Sequence, residues 1–168
     1  MTISSIPPAV GYWLMKSEPA EYSIDDLARD RVAQWDGVRN YQVRNMFRDT
    51  MAVGDRALFY HSNAGAATGV VGEMTIGRAA YPDPTQFDPG DAHFDPKSDP
   101  SDPRWLCVDV CYERTFPQLV TLPQIKADPH FSDLPLVTRG NRLSVMPLSP
   151  EHFTRLVSLG TADRTVAA

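Results

Sequence analysis

Cysteine is scarce in this 168-residue chain: Cys107 and Cys111 are the only two, too few for a disulfide-stapled secreted scaffold. The opening MTISSIPPAVG lacks a basic segment followed by an apolar run, so no signal peptide is expected. No stretch approaches the ~20 apolar residues that span a bilayer. The expectation is a soluble, cytosolic, reduced protein. The four histidines, His61, His93, His130 and His152, are scattered, with no HExxH, no CxxC pair and no zinc-deaminase signature, so neither a metal nor a cofactor is expected. GxxxxGK[ST], GxGxxG and GxSxG are missing too, which removes a phosphate loop, a dinucleotide fingerprint and a serine-hydrolase elbow. The one nucleophile-like cluster is Tyr60-His61-Ser62-Asn63, but neighbours in a strand point to opposite faces. His61 and Ser62 therefore form no dyad in regular backbone, and the plainer reading is a histidine hydrogen-bonded within the fold. No catalytic residue is assigned. A net charge of −5 and a pI near 5.3 exclude a uniformly basic nucleic-acid coat.

What is present is a globular balance, 42% hydrophobic against 22% charged residues, in a length that suits one domain and one core. That domain is expected over residues 11–160, with flexible termini at 1–10 and 161–168. Residues 1–80 carry eight basic against nine acidic side chains and residues 136–168 four against two, so the middle third holds the acidity. Its centre is YPDPTQFDPGDAHFDPKSDPSDP at 81–103, 23 residues with six Asp and six Pro, which suits neither a helix nor a central strand. A long surface loop is expected, with Asp and Pro as turn formers. Its spacing lacks the calcium pattern of an EF-hand.

GYWLMKS at 11–17 reads as a strand, stopped by Glu18-Pro19, after which Ser23 caps a helix with Ile24 and Leu27 inward. From Asn40 a second helix places Val43, Met46, Phe47 and Met51 on one face and Tyr41, Arg44, Asn45 and Arg48 on another. DRALFYHS at 55–62 and GVVGEMTIG at 69–77 read as a hairpin. RWLCVDVCYE alternates with Leu106, Val108, Val110 and Tyr112 on one side. Cys107 and Cys111 then share a face about 13 Å apart, too far for a disulfide. Leu122–Lys126 suits a short helix, RLSVMPLS at 142–149 a last strand, and Pro150–Leu159 a closing helix capped by Gly160. The tally is an α+β domain of five or six mostly antiparallel strands, as a sheet or small barrel, with peripheral short helices.

The richest chemistry lies in WDGVRNYQVRNMFR, where the Asp36-Gly37 turn feeds the second helix. Free amides at a helix start favour an anion, Arg39, Arg44 and Arg48 add positive charge, and Trp35 and Tyr41 add flat rings. That mix suits phosphate contact with base stacking, though aromatics beside arginines more often belong to an ordinary surface.

Taken together, YWLMKSEP at 12–19, YSIDDL at 22–27, WDGVRNYQVRN at 35–45, FYHSN at 59–63, GVVG at 69–72, AYPDPTQFD at 80–88, DPRWLCVDV at 102–110 and RLSVMPLS at 142–149 resemble the EVE domain family, in family order. Val43 departs from the family's usual alanine, at a position on the core face. The resemblance implies a PUA-like β-pseudo-barrel related to PUA, ASCH and YTH domains. It implies nucleic-acid binding by capture of a modified base, with modified cytosine in DNA favoured and RNA the alternative. Residues matching the family's motifs nominate the pocket: Trp13 or Trp35 as stacking platform, Lys16, Ser17 and Glu18 as edge readers, and Asn40, Tyr60, His61 and Ser62 on the facing wall. Arg39, Arg44 and Arg142 are the phosphate candidates. Each has a rival reading: Trp13 and Tyr60 as core, Glu18 paired with Lys16, Asn40 as a helix cap, Arg142 bridged to the acidic loop. Two other functions stay open, an enzyme acting on a nucleotide or small polar substrate through His61 or Glu18, and an adaptor that binds proteins through the acidic loop.

Overall fold

Strand residues that are apolar on both faces must be covered on both sides, and this governs the architecture. A computed structural model describes residues 10–162. In chain order it holds β1 (Tyr12–Ser17), α1 (Ile24–Asp30), β2 (Val32–Trp35), α2 (Tyr41–Asp49), β3 (Arg56–His61), β4 (Gly69–Pro82), β5 (Leu106–Thr121), α3 (Leu122–Ala127), β6 (Val145–Pro147) and α4 (Pro150–Thr161), with short 3-10 turns between. The strands form one six-stranded mixed sheet in the order β2-β5-β4-β3-β1-β6. Only β1 and β3 pair in parallel, joined by the α1-β2-α2 crossover; the other pairings are antiparallel. The expected α+β class and strand number hold.

Period two divides β1 and β3 between two cores. Trp13, Met15, Ala57 and Phe59 pack with Ile24 and Leu27 of α1 and Val43 and Phe47 of α2. Leu14, Leu58 and Tyr60 pack on the opposite face with Ile125 of α3 and Phe153 and Leu156 of α4. Both helix starts read from the sequence are present. Ser23 accepts from the Asp26 amide while the Asp26 carboxylate accepts from the Ser23 amide, and Asn40 Oδ1 accepts from the Val43 amide.

Several differences from the sequence reading have physical causes. No strand was expected at Val32–Trp35, a segment of four residues with two exposed; pairing with β5 makes it one. β4 and β5 run for 14 and 16 residues, past the points where charge and proline suggest an end. Pro117 falls where the β4–β5 ladder is irregular, between Thr115 and Val120, so its missing N–H costs no regular bond. Such bulges also add twist, which curls the sheet. Gly160 does not cap α4. It lies inside the helix, buried, and a Cβ there would sit 2.1 Å from Phe116 Cδ2.

The acidic segment is largely exposed, as expected of a surface loop whose Asp residues form turns, but it is pinned to the fold at two points. Asp83 and Gln86 have no exposed surface. Gln86 Nε2 donates to the Asp83 and Trp105 carbonyls, and its Oε1 accepts from Ser98 Oγ and the Trp105 amide. The amide's bonding capacity is thus spent within the loop and on Trp105 just after it, which turns a polar sequence into a pinned one. The termini expected to be flexible lie, apart from Val10, Thr161 and Ala162, outside the described residues; Thr161 belongs to the last turn of α4.

Candidate nucleic-acid interface

A cleft of about 1230 Å³ opens between the two ends of the curled sheet. Edge strand β2 and the turn to Asn40 form one wall, and residues 142–144, entering the opposite edge strand β6, form another. The end of β1 supplies Lys16, Ser17 and Glu18, and the acidic loop contributes residues 90–93.

Of the residues nominated from sequence, Lys16, Ser17, Glu18, Trp35, Arg39, Asn40, Ser62 and Arg142 line this cleft. Trp35 is only 7% exposed, its ring held edge-on by Phe59 at 5.3 Å, so it is a rigid floor rather than a free-standing platform. Lys16 stands 5.8 Å over the Tyr60 ring, and burial lowers its ammonium pKa. Ser17 Oγ donates to the Tyr22 carbonyl, and Glu18 Oε1 accepts from Asn63 Nδ2 rather than pairing with Lys16. Asn40 is both helix cap and cleft wall. Arg142 is exposed at the rim and makes no ion pair or side-chain hydrogen bond among the described residues, with the acidic loop or elsewhere.

Four nominated residues lie elsewhere. Trp13 is 2% exposed, and its indole N–H donates to Asp55 Oδ2 at 2.9 Å, so the core rather than the cleft claims it. Tyr60 is buried in the second core because its position in β3 points away from the cleft. His61 Nε2 accepts the Ile24 amide at 3.1 Å, tying β3 to the start of α1; desolvation lowers its pKa, with Asp25 opposing weakly. Arg44 does not line the cleft; it is half-buried, 4.6 Å from the Tyr41 ring and donating to the Arg104 carbonyl.

Arg39 lines the cleft but is spent. Its Nε and Nη2 donate to the His93 carbonyl, Nη2 also to Thr85 Oγ1, and Nη1 to the Val38 carbonyl and Asp83. A guanidinium has five N–H donors, and here each has an internal acceptor. Arg39 positions the loop against the cleft and has no donor left for a phosphate.

The cleft also takes in residues that were not nominated from sequence, Tyr22, His93 and Asp36 among them. Tyr22 comes from the turn before α1, His93 from the acidic loop, and Asp36 from the turn after β2. Desolvation and the nearby charge of Asp83 hold the Asp36 carboxyl above its ordinary pKa, and it has no side-chain partner among the described residues. Gly37, at φ +75°, lets the turn pass beneath the His93 ring while its amide donates to Asp83. Ala33, Val38 and Leu143 add half-buried apolar surface. No local pattern marks Tyr22 or His93; only the fold brings them to the cleft. Asp36 stood in the quoted motif, where its carboxyl reads as a turn former.

Residues 11–159 match the EVE domain model. The chain belongs to the EVE domain family. Thymocyte nuclear protein 1 of Danio rerio is 41% identical over 176 residues, an alignment covering 93% of this chain and 74% of that protein. Among solved structures, a Pseudomonas putida protein superposes with a TM-score of 0.85 at 49% identity, covering 89% of this chain and 99% of that one. The human THYN1 protein, solved in complex with 5-methylcytosine-containing DNA, superposes with a TM-score of 0.81 at 37% identity, covering 91% and 99%. In this EVE domain three blocks that carried the resemblance, YWLMKSEP, WDGVRNYQVRN and RLSVMPLS, supply three walls of the cleft. Among its described residues no cluster of three or more His, Cys, Asp or Glu is placed to hold a metal, and no helix is long and apolar enough to cross a membrane.

Proposed function

We propose that this EVE domain binds nucleic acid by accepting one everted base, a modified cytosine in the favoured case, in the cleft at the sheet seam, and that it does so without transforming the base. The observation carrying this reading is the cleft's composition: a fixed Trp35 floor with Ala33, Val38 and Leu143, polar groups at Lys16, Ser17 and Asp36, and at the rim Arg142, a cation with no side-chain partner among the described residues. The complex of the human relative with 5-methylcytosine-containing DNA supports it.

A duplex hides the Watson–Crick edge, so reading that edge requires an everted or single-stranded base, at a cost of about a few kcal/mol in unstacking. Packing against the Trp35 floor and the apolar walls offsets part of this, by less than the roughly 1–3 kcal/mol of a base stacked on an open ring. The exocyclic amine of cytosine donates where thymine accepts, so a carboxylate is the discriminating partner. Asp36 suits that role better than Glu18, whose oxygen Asn63 already occupies. A 5-methyl group on the apolar wall adds about 0.8 kcal/mol, close to a four-fold preference. Binding without turnover is favoured because His61 Nε2 is engaged by the Ile24 amide and cannot serve Ser62 as a base.

Titration of single- and double-stranded oligonucleotides carrying cytosine or 5-methylcytosine tests the proposal. Expected are a several-fold preference for the modified strand and an affinity that falls with salt, with Arg142→Ala weakening binding and flattening the salt slope. Equal affinity for both bases, or no binding, overturns the reader; conversion of the oligonucleotide supports an enzyme instead. Trp35→Ala is a poor probe, since truncating a core-packed tryptophan costs roughly 3–5 kcal/mol of stability.

A further inference from the structure

Beside the cleft, rings and guanidinium groups alternate in space. The Arg39 guanidinium lies 5.5 Å from the Trp105 ring, Trp105 stacks on Tyr41 at 4.8 Å and 30°, and the Arg44 guanidinium lies 4.6 Å from Tyr41. The inner members are fixed. Trp105 is 7% exposed and its indole N–H donates to Asp95, while Arg39 is held by the loop. The outer members are less constrained: Tyr41 keeps 51% of its surface exposed, and Arg44, half-buried, ion-pairs with no carboxylate among the described residues. The bonds of Arg44 go to the side-chain oxygen of Asn45 and the carbonyl of Arg104, which leaves two of its five N–H donors unassigned.

We infer that Tyr41 and Arg44 form a second nucleotide subsite, Tyr41 as the stacking platform for the base adjoining the everted one and Arg44 as the partner of its phosphate. The inference rests on the base-capture reading and extends it along the strand. Asn40 lines the cleft and Tyr41 follows it in sequence, so the platform begins at the cleft rim. A single strand bound without base reading uses this combination, an aromatic face for any base and a cation for the backbone. An immobile ring already stacked on a buried tryptophan loses little freedom when a base covers its open side. The subsite takes a nucleotide of any base identity, because every base has a π face.

The test compares two single-stranded DNA heptamers with a central 5-methylcytosine, one with ordinary flanking bases and one with abasic sites on both sides. The wild-type chain is expected to bind the intact strand about five- to hundred-fold more tightly than the abasic-flanked one. Tyr41→Ala is expected to bring that ratio to within about two-fold, Tyr41→Phe to preserve it, and Arg142→Ala to weaken both strands alike. If Tyr41→Ala leaves the ratio at its wild-type value while the central methyl is still preferred, the subsite is refuted and base capture stands. If wild-type chain binds neither strand, both ideas fall together. Circular dichroism of each variant checks its folding, which is expected to be unchanged for a half-exposed side chain.

Discussion

Arg39 and Asp83 are tied across 44 residues by a 3.0 Å ion pair whose carboxylate has no exposed surface. Asp83 also accepts from the Gly37 amide and from the amide and hydroxyl of Thr85, so one buried carboxylate joins the turn after β2 to the acidic loop. Those bonds outweigh the desolvation that opposes them and lower its pKa. Asp83→Ala strands the partly buried guanidinium and two amides, and a loss of about 3 kcal/mol in unfolding free energy is expected. Urea denaturation measures it; a loss below about 1 kcal/mol would show that the loop does not depend on this anchor.

Gly37→Ala tests the same joint from the backbone side. At φ +75° a Cβ is strained, and here it would also lie 2.8 Å from His93 Cε1. Roughly 1–2 kcal/mol of destabilisation is expected, with weaker oligonucleotide binding as His93 and the Asp36 turn move. Thermal unfolding and a binding titration on the same sample report both; unchanged values in each contradict the packing described.

Gly160→Ala separates helix propensity from packing by the sign of its effect. In an exposed helix interior the change stabilises by about 1 kcal/mol. The new methyl would meet Phe116, so a loss of roughly 1–3 kcal/mol is expected instead. Partial recovery in the Gly160→Ala, Phe116→Leu double variant would locate the conflict between α4 and β5.

His61 predicts a pH dependence. Its folded pKa lies below the ordinary 6.5 because burial disfavours the imidazolium. Between that folded value and 6.5 the unfolded chain binds more protons, so stability rises with pH and is lost as pH falls through the window. Urea midpoints are expected to drop from pH 7.5 to pH 5.5 in the wild-type chain and to drop less in His61→Gln. An equal drop in both would place the acid sensitivity elsewhere.

Much of this was legible in residue order. Ser23 and Asn40 announced their helices because caps act within one turn, and the apolar spacing of Val43 and Phe47 marked the buried face of α2. Eight of the nominated residues meet at the cleft, because the motif blocks that carry them sit at strand ends that the sheet gathers. Trp13 and Tyr60 were ambiguous for a definite reason: β1 and β3 are apolar on both faces, and period two alone does not say which face is covered by what.

The amino-acid sequence by itself determined the helix starts, most of the strands and the family resemblance, since capping, periodicity and motif spacing are short-range properties, whereas β2 became a strand only by pairing with β5. Tertiary structure alone decided which cations are bonded within the described residues. Arg39 and Arg142 both line the cleft, yet one is saturated by Asp83, Thr85 and the Val38 and His93 carbonyls, while the other has no side-chain partner among the described residues. Hydrogen-bond saturation depends on what the folded chain brings within about 3 Å, and no local pattern encodes that distance.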